Sequence, residues 1–365
     1  MLISQLSPRR RRAALATLLV VAACAPRRAL HDLAPPPPGP FRTVAGEPTH
    51  PACKRPARVG DAGAAPRCVV SFGRNPTALA LDSRGTIAVL ALMDVQLTTW
   101  QLPALTFGRE LAPPPAEPGE AERGEREGPQ AIAIAPDGRT ALLAIGDEML
   151  RYDLTTGRVL GELEGPEQKG MIDDVVFTPD ARSLVITNAA DGKARVLDAT
   201  TGAVRRTLPV DGHVVEVAAA ADGTRAAAGT EVGTIAIVDL QGNGKPKTLT
   251  PSTQEITGLA FVGGELVAAA RDGHLRVFDA ATGKRTQDTA LPTPIMRMAV
   301  APNGRLVAVA DEAHVLRVLS LPDATLRRTF AWHRATITAL AWASASTLIV
   351  ADNDGELAAW DVDVE

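Results

Sequence analysis

A unit of about 42 residues recurs seven times between residue 67 and residue 365, and no other feature restricts the fold of this chain so tightly. APDGR (135–139), TPDAR (178–182), AADGT (220–224) and APNGR (301–305) are variants of one turn. LDSRGT (81–86), FVGGEL (261–266) and ASASTL (343–348) stand in step with them. Anchoring on the proline of the PDG turn gives Ser83, Pro136, Pro179, Ala221, Gly263, Pro302 and Ser344, at spacings of 53, 43, 42, 42, 39 and 42. A second column follows about 17 residues later: WQ at 100–101, YD at 152–153, LD at 197–198, VD at 238–239, FD at 278–279, LS at 319–320 and WD at 360–361. The residues two and four before each anchor are apolar in all seven repeats, the period-two pattern of a strand. The residue three before the anchor is alanine in six of them, which suits strands crowded around an axis. Each unit then reads as four strands, a to d, with the PDG turn between a and b and a TG-type turn, as at Thr156-Gly157, between c and d.

On these residues the chain resembles the WD40/YVTN-type β-propeller superfamily. ITN (186–188) with VLDATTG (196–202) is similar to a YVTN blade, and LRVFDAATGK (275–284) and LAAWD (357–361) are similar to WD repeats. The resemblance implies an all-β, seven-bladed propeller with four antiparallel strands per blade. Its blades fall near 75–112, 129–166, 171–210, 213–251, 254–292, 293–331 and 333–365. The last repeat stops after strand c, and RCVVSF (67–72) stands where other blades carry a strand d. Residues 67–73 are therefore expected to close the last blade and remove the open seam. Only Trp360-Asp361 is a complete WD pair, and Gly-His occurs in its usual place only at Gly212-His213, so a His–Asp–Trp network is expected to be mostly absent. Asp94, Asp191, Asp272 and Asp354 recur seven residues before the end of the second column, and each is expected to hold the b–c turn through backbone hydrogen bonds.

The residues ahead of the repeats form an address and a spacer. Arg9 to Arg12 precede the uncharged run AALATLLVVAA (13–23) and then Cys24. That order is a basic region, an 11-residue apolar core and small residues before a cut, too short to span a bilayer. VAAC (21–24) is similar to the lipobox of bacterial lipoproteins, which implies a signal peptide over 1–23 and lipidation at Cys24. A simple signal peptide cut near Ala23 is the alternative. Residues 24–66 carry ten prolines and read as an extended tether. Cys53 and Cys68 are a disulfide candidate in an exported chain, or else two free thiols. The expected location is the cell envelope, lipid-anchored to the outer membrane.

With 38 Lys and Arg against 42 Asp and Glu, the chain has no electrostatic reason to bind nucleic acid. Removal of residues 1–23 takes four arginines and no acid, which moves the balance to 34 − 42 = −8. No Walker, GxSxG, HExxH or haem-attachment motif is present, so no catalytic residue, metal or cofactor is assigned. Candidate contacts lie on the top face, where the d–a and b–c loops gather. Five residues before the anchor most repeats have Ala or Gly, but blades 3, 4 and 6 have Asp174, Glu216 and Arg297, with Asp173 alongside. These charges read either as an ion-pair cluster in channel water or as a contact for a ligand, cation or peptide. His213 and His333 fall on d–a loops of the same face. The insert APPPAEPGEAERGEREGP (112–129) reads as a solvated loop or as an acidic flap over the channel. The leading expectation is a monomeric ring, non-catalytic, that binds an envelope protein or peptide through its top face. A propeller enzyme of lactonase or quinoprotein type, or a small-ligand sensor, is the alternative.

Overall fold

A computed structural model describes residues 66–93, 95–114, 128–166, 170–242 and 245–362. They form seven four-stranded antiparallel sheets and no helix. Six blades are continuous in sequence: 76–110, 131–162, 175–207, 214–249, 256–290 and 295–330. The seventh takes three strands from 337–361 and its outer strand from Cys68–Ser71. That closing strand pairs antiparallel with Glu356–Asp361, Cys68 opposite Ala359 and Ser71 opposite Glu356. The Arg67 guanidinium secures it, bonding Asp361 at 2.8 Å and the Pro103 carbonyl at 2.6 Å. The ring closes where the truncated last repeat said it should.

No single core fills the ring. Side chains alternate across each strand, so every sheet offers one face to each neighbour. Seven apolar clusters result, one per seam. In strand b of blade 6, Leu306, Ala308 and Ala310 face blade 7, while Val307 and Val309 face blade 5. Both faces of strand b are therefore apolar, and its six residues are all buried. Strand d lies outermost, and in blade 1 all five of its residues are exposed.

The PDG turns need a left-handed residue in their fourth place. Gly85, Gly138, Gly223 and Gly304 hold φ between 65° and 69° there, and Ala181 is forced to 57°. At Gly85 a Cβ would come within 1.7 Å of the Ala343 carbonyl, so the first blade's turn touches the last blade only because that side chain is missing.

Aspartates hold four of the b–c turns, in two ways. In blades 3, 5 and 6 an arginine on strand c reaches back to the turn aspartate: Arg195 to Asp191, Arg276 to Asp272 at 2.8 Å, and Arg317 to Asp311. Asp191 and Asp272 also accept the backbone N–H groups of Lys193 and His274. Blade 7 instead uses Asp352, which bonds His333 Nδ1 at 2.7 Å and accepts the N–H groups of Asp354 and Glu356 at 3.1 Å. Trp360 packs beside His333, Trp332 and Phe330. Among the described residues one buried His–Asp pair thus exists, following Trp332 rather than a glycine, and Trp360 joins it by ring contact and not by a hydrogen bond. Gly212-His213, the pair that looked like its place, does not form one. Asp354 is likewise not the turn's acceptor; Asp352, two residues earlier, is. Asp94 lies outside the described residues.

Candidate functional site at the channel mouth

In five of the seven inner strands the pairing slips by one residue at the same point: between Pro76 and Ala78, Val214 and Glu216, Ile256 and Gly258, Ile295 and Arg297, and Ile337 and Ala339. A β-bulge bends its strand and redirects the following side chain. The position just after the slip is the column five before the anchor. Ala78, Ala131, Asp174, Glu216, Arg297 and Ala339 from that column line a cavity of about 680 Å³ at the mouth of the channel.

The cavity has two dissimilar walls. Blades 7, 1 and 2 contribute Leu340, Ala339, Ala78, Met93, Ala131 and Ile132, interspersed with the uncharged polar Thr77, Gln130, Thr338 and Asn353. Blades 3, 4 and 5 contribute Asp173, Asp174, Glu216 and Glu255, and blade 6 adds Arg297 and Met298. Asp174 ties two blades together: Oδ1 accepts the N–H of Val175 at 2.8 Å and Oδ2 that of Val217 across the seam at 2.9 Å. Enclosure by protein nevertheless pushes its pKa up to about 6, against the pull of those two N–H groups and with Asp173 adding to the rise. Burial, then the charge of Asp174, holds Glu216 well above the usual carboxylate range. Burial also raises Asp173, opposed by His213 and assisted by Glu255. Asp174 and Glu216 keep part of their surface open to the cavity, so they are enclosed by the channel rather than sealed in a core.

Arg297 offsets this wall only in part: its charge pulls Asp174 and Glu216 downward without outweighing their burial. Its Nε donates to the Thr338 carbonyl and its Nη1 to the Met296 carbonyl, both at 2.8 Å. It makes no ion pair among the described residues. Glu255 is paired with Arg271 at 2.5 Å. Sequence reasoning missed Glu255, because it precedes the slipped strand and falls outside the aligned column.

The two histidines expected on this face separate. The His333 side chain is 0% exposed and belongs to the blade 7 network, so it cannot contact a partner. A loop position in the sequence does not say whether the side chain turns in or out, and here Trp360 and Asp352 draw it inward. His213 is half-buried, with Nδ1 3.5 Å from Glu231, and stands beside the cavity rather than among the lining residues. Of the 112–129 insert, Gly128 and Pro129 line the mouth; residues 115–127 lie outside the described residues, as do Cys24, Cys53 and the proline-rich stretch up to residue 65. Cys68 is buried and disulfide-bonded. No three His, Cys, Asp or Glu side chains among the described residues are placed to hold one metal ion.

Residues 147–363 match the PQQ_2 family model, described as outer membrane protein assembly factor BamB. The chain belongs to this family. The match takes in the outer half of blade 2, all of blades 3 to 6 and the three inner strands of blade 7, and so includes the whole acidic wall and Arg297. A WD repeat-containing protein, SL1-17, of Schistosoma mansoni is 27% identical over 165 residues, 44% of this chain. The alignment spans 54% of that relative's own length. Among solved structures, the β-propeller domain of Cps50 (Swd1) from Myceliophteria thermophila superposes with a TM-score of 0.69 at 17% identity, over 82% of this chain and 99% of that one. At that identity the likeness is one of fold.

Proposed function

We propose that this protein is a lipid-anchored β-propeller of the bacterial cell envelope that serves as a non-catalytic scaffold, binding another envelope protein through its top face. The observation that carries the reading is the match of residues 147–363 to an outer membrane assembly factor family. The two-walled mouth, whose acidic wall lies within the matched blades, supplies a surface on which a partner can be recognised. In this reading residues 1–23 are the signal peptide, Cys24 carries the lipid, residues 24–66 are the tether, and Cys53 bridges to Cys68. A closed loop of this size contributes about 3 kcal/mol in the chain-entropy picture.

The test uses the full chain expressed in its envelope, with partners fixed by in-cell crosslinking and captured on the wild type, Glu216→Ala and Arg297→Ala. A defined envelope protein should be captured by the wild type and its capture changed several-fold by each variant, since altering an enclosed interfacial charge contact is worth about 2–5 kcal/mol of binding. Unchanged capture by both variants would move the binding surface elsewhere. Cys24→Ser should abolish lipid labelling and release the protein from membranes; retention of label would refute the anchor.

A further inference from the structure

We propose that the mouth receives a segment of a partner polypeptide presenting one arginine or lysine between apolar neighbours, the cation entering among Asp173, Asp174 and Glu216 while the apolar residues settle on Met93, Ile132 and Leu340. The proposal rests on the scaffold reading and names the partner chemistry its top face selects.

Charge is the first reason. Neither Asp173 nor Glu216 has a hydrogen bond or ion pair at its carboxyl among the described residues. Glu255 is already paired with Arg271, and Arg297 is spent on two carbonyls. The wall is thus left negative with no cation of its own in contact. Glu216 is the clearest member: it is enclosed by protein, it lines the cavity, and nothing bonds its carboxyl. An enclosed carboxylate without a partner is held at a cost in free energy, and an entering guanidinium or ammonium would remove that cost while making charge-assisted hydrogen bonds.

Size and shape decide which cation. The carboxylates are spread over blades 3 and 4 and do not converge on one ion. A cavity of about 680 Å³ holds a long side chain with its neighbours rather than a bare metal. The opposite wall needs an apolar occupant. Met93 is 57% exposed at the rim although it is one of the chain's large apolar residues, and methionine adapts its shape to varied apolar partners. A free small cation satisfies one wall only; a peptide with a central cation satisfies both.

The test is calorimetric titration of the full chain with acetylated, amidated Ala-Leu-Arg-Leu-Ala and with its citrulline twin, which keeps the shape and removes the charge. The arginine peptide should bind at least tenfold tighter than the twin at pH 7.5. The preference should shrink as the pH falls through about 6, because the groups facing the site are three acids of raised pKa, with Glu255, Arg271, Arg297 and His213 around them. At about pH 6 binding should release protons, seen as an enthalpy that depends on the buffer. Glu216→Gln should remove most of the tenfold preference, and Met93→Ser should weaken both peptides several-fold. Equal binding of the two peptides, no binding of either, or a preference that survives Glu216→Gln would overturn the proposal. So would argininamide binding as tightly as the peptide, the result for a small-ligand receptor. If crosslinked capture still responds to Glu216→Ala and Arg297→Ala while the peptides fail, the scaffold reading stands and only this partner chemistry falls.

Discussion

Asp352 and Glu216 are both acids enclosed by the ring, and their surroundings could hardly differ more. Asp352 accepts two backbone N–H groups and bonds His333, inside a packed cluster of Trp360, Trp332 and Phe330. The Glu216 carboxyl accepts no hydrogen bond among the described residues and faces an open cavity. The first fixes a turn; the second weakens the ring by being there. An acid that works for the fold is surrounded by donors, whereas an acid held ready for something else is not.

The comparison breaks most visibly at Asp352. Asp352→Ala removes the acceptor for three groups and leaves His333 buried beside an empty space. We expect a loss of about 3–5 kcal/mol, measured as a shift of the denaturant midpoint. A loss below about 1 kcal/mol would mean that the aromatic packing alone holds blade 7. Arg195→Leu tests the middle of the scale. Asp191 would lose its guanidinium partner but keep the Lys193 N–H and some contact with water, so a loss of about 1–2 kcal/mol is expected. At the other end, Glu216→Gln should stabilise the protein by about 1 kcal/mol at pH 8. The sign follows from the raised pKa. Below the usual carboxylate range, folded and unfolded chains both hold the proton and the substitution is neutral. As the pH rises past the usual carboxylate range, the unfolded chain releases its proton first, and wild-type stability falls until the raised pKa of Glu216 is passed. Melting curves of the two proteins at pH 4 and pH 8 should coincide at the first and separate at the second. Asp174→Asn is a poorer probe, since Asp174 uses both oxygens on backbone donors. The smallest change expected is Ala181→Gly, which relieves a left-handed alanine and should add about 0.5–1 kcal/mol. It serves as a control in which backbone rather than charge is altered, and its gain should not vary with pH.

The seven blades and their closure could be read from the sequence because both follow from periodicity, and alternating burial leaves a trace at every second residue. Asp174, Glu216 and Arg297 stood out because they interrupt a column of alanine and glycine. What aims Glu216 and Arg297 is the one-residue slip ahead of that column, and a slip has no residue signature, so Glu255, just before the slip in blade 5, passed unnoticed. His333 was misplaced because the turn residue that binds it, Asp352, lies two positions from the recurrent aspartate column. The arginines of strand c went unnoticed for a related reason: a charge within an apolar strand reads as pointing outward, and Arg195, Arg276 and Arg317 instead fold back along their own strand to the turn.

The closing strand also sets a timetable. Cys68–Ser71 is made early in synthesis, yet its partner strand ends at Asp361, which bonds Arg67 from 294 residues away. Whichever blades form first, this strand has no partner until residues 356–361 are present. Its brevity, four residues beginning beside an arginine, makes it a poor template for premature pairing. The ring is therefore a clasp whose tongue is made first and whose buckle is made last, and an arrest of synthesis before residue 356 would leave both halves of the seam exposed.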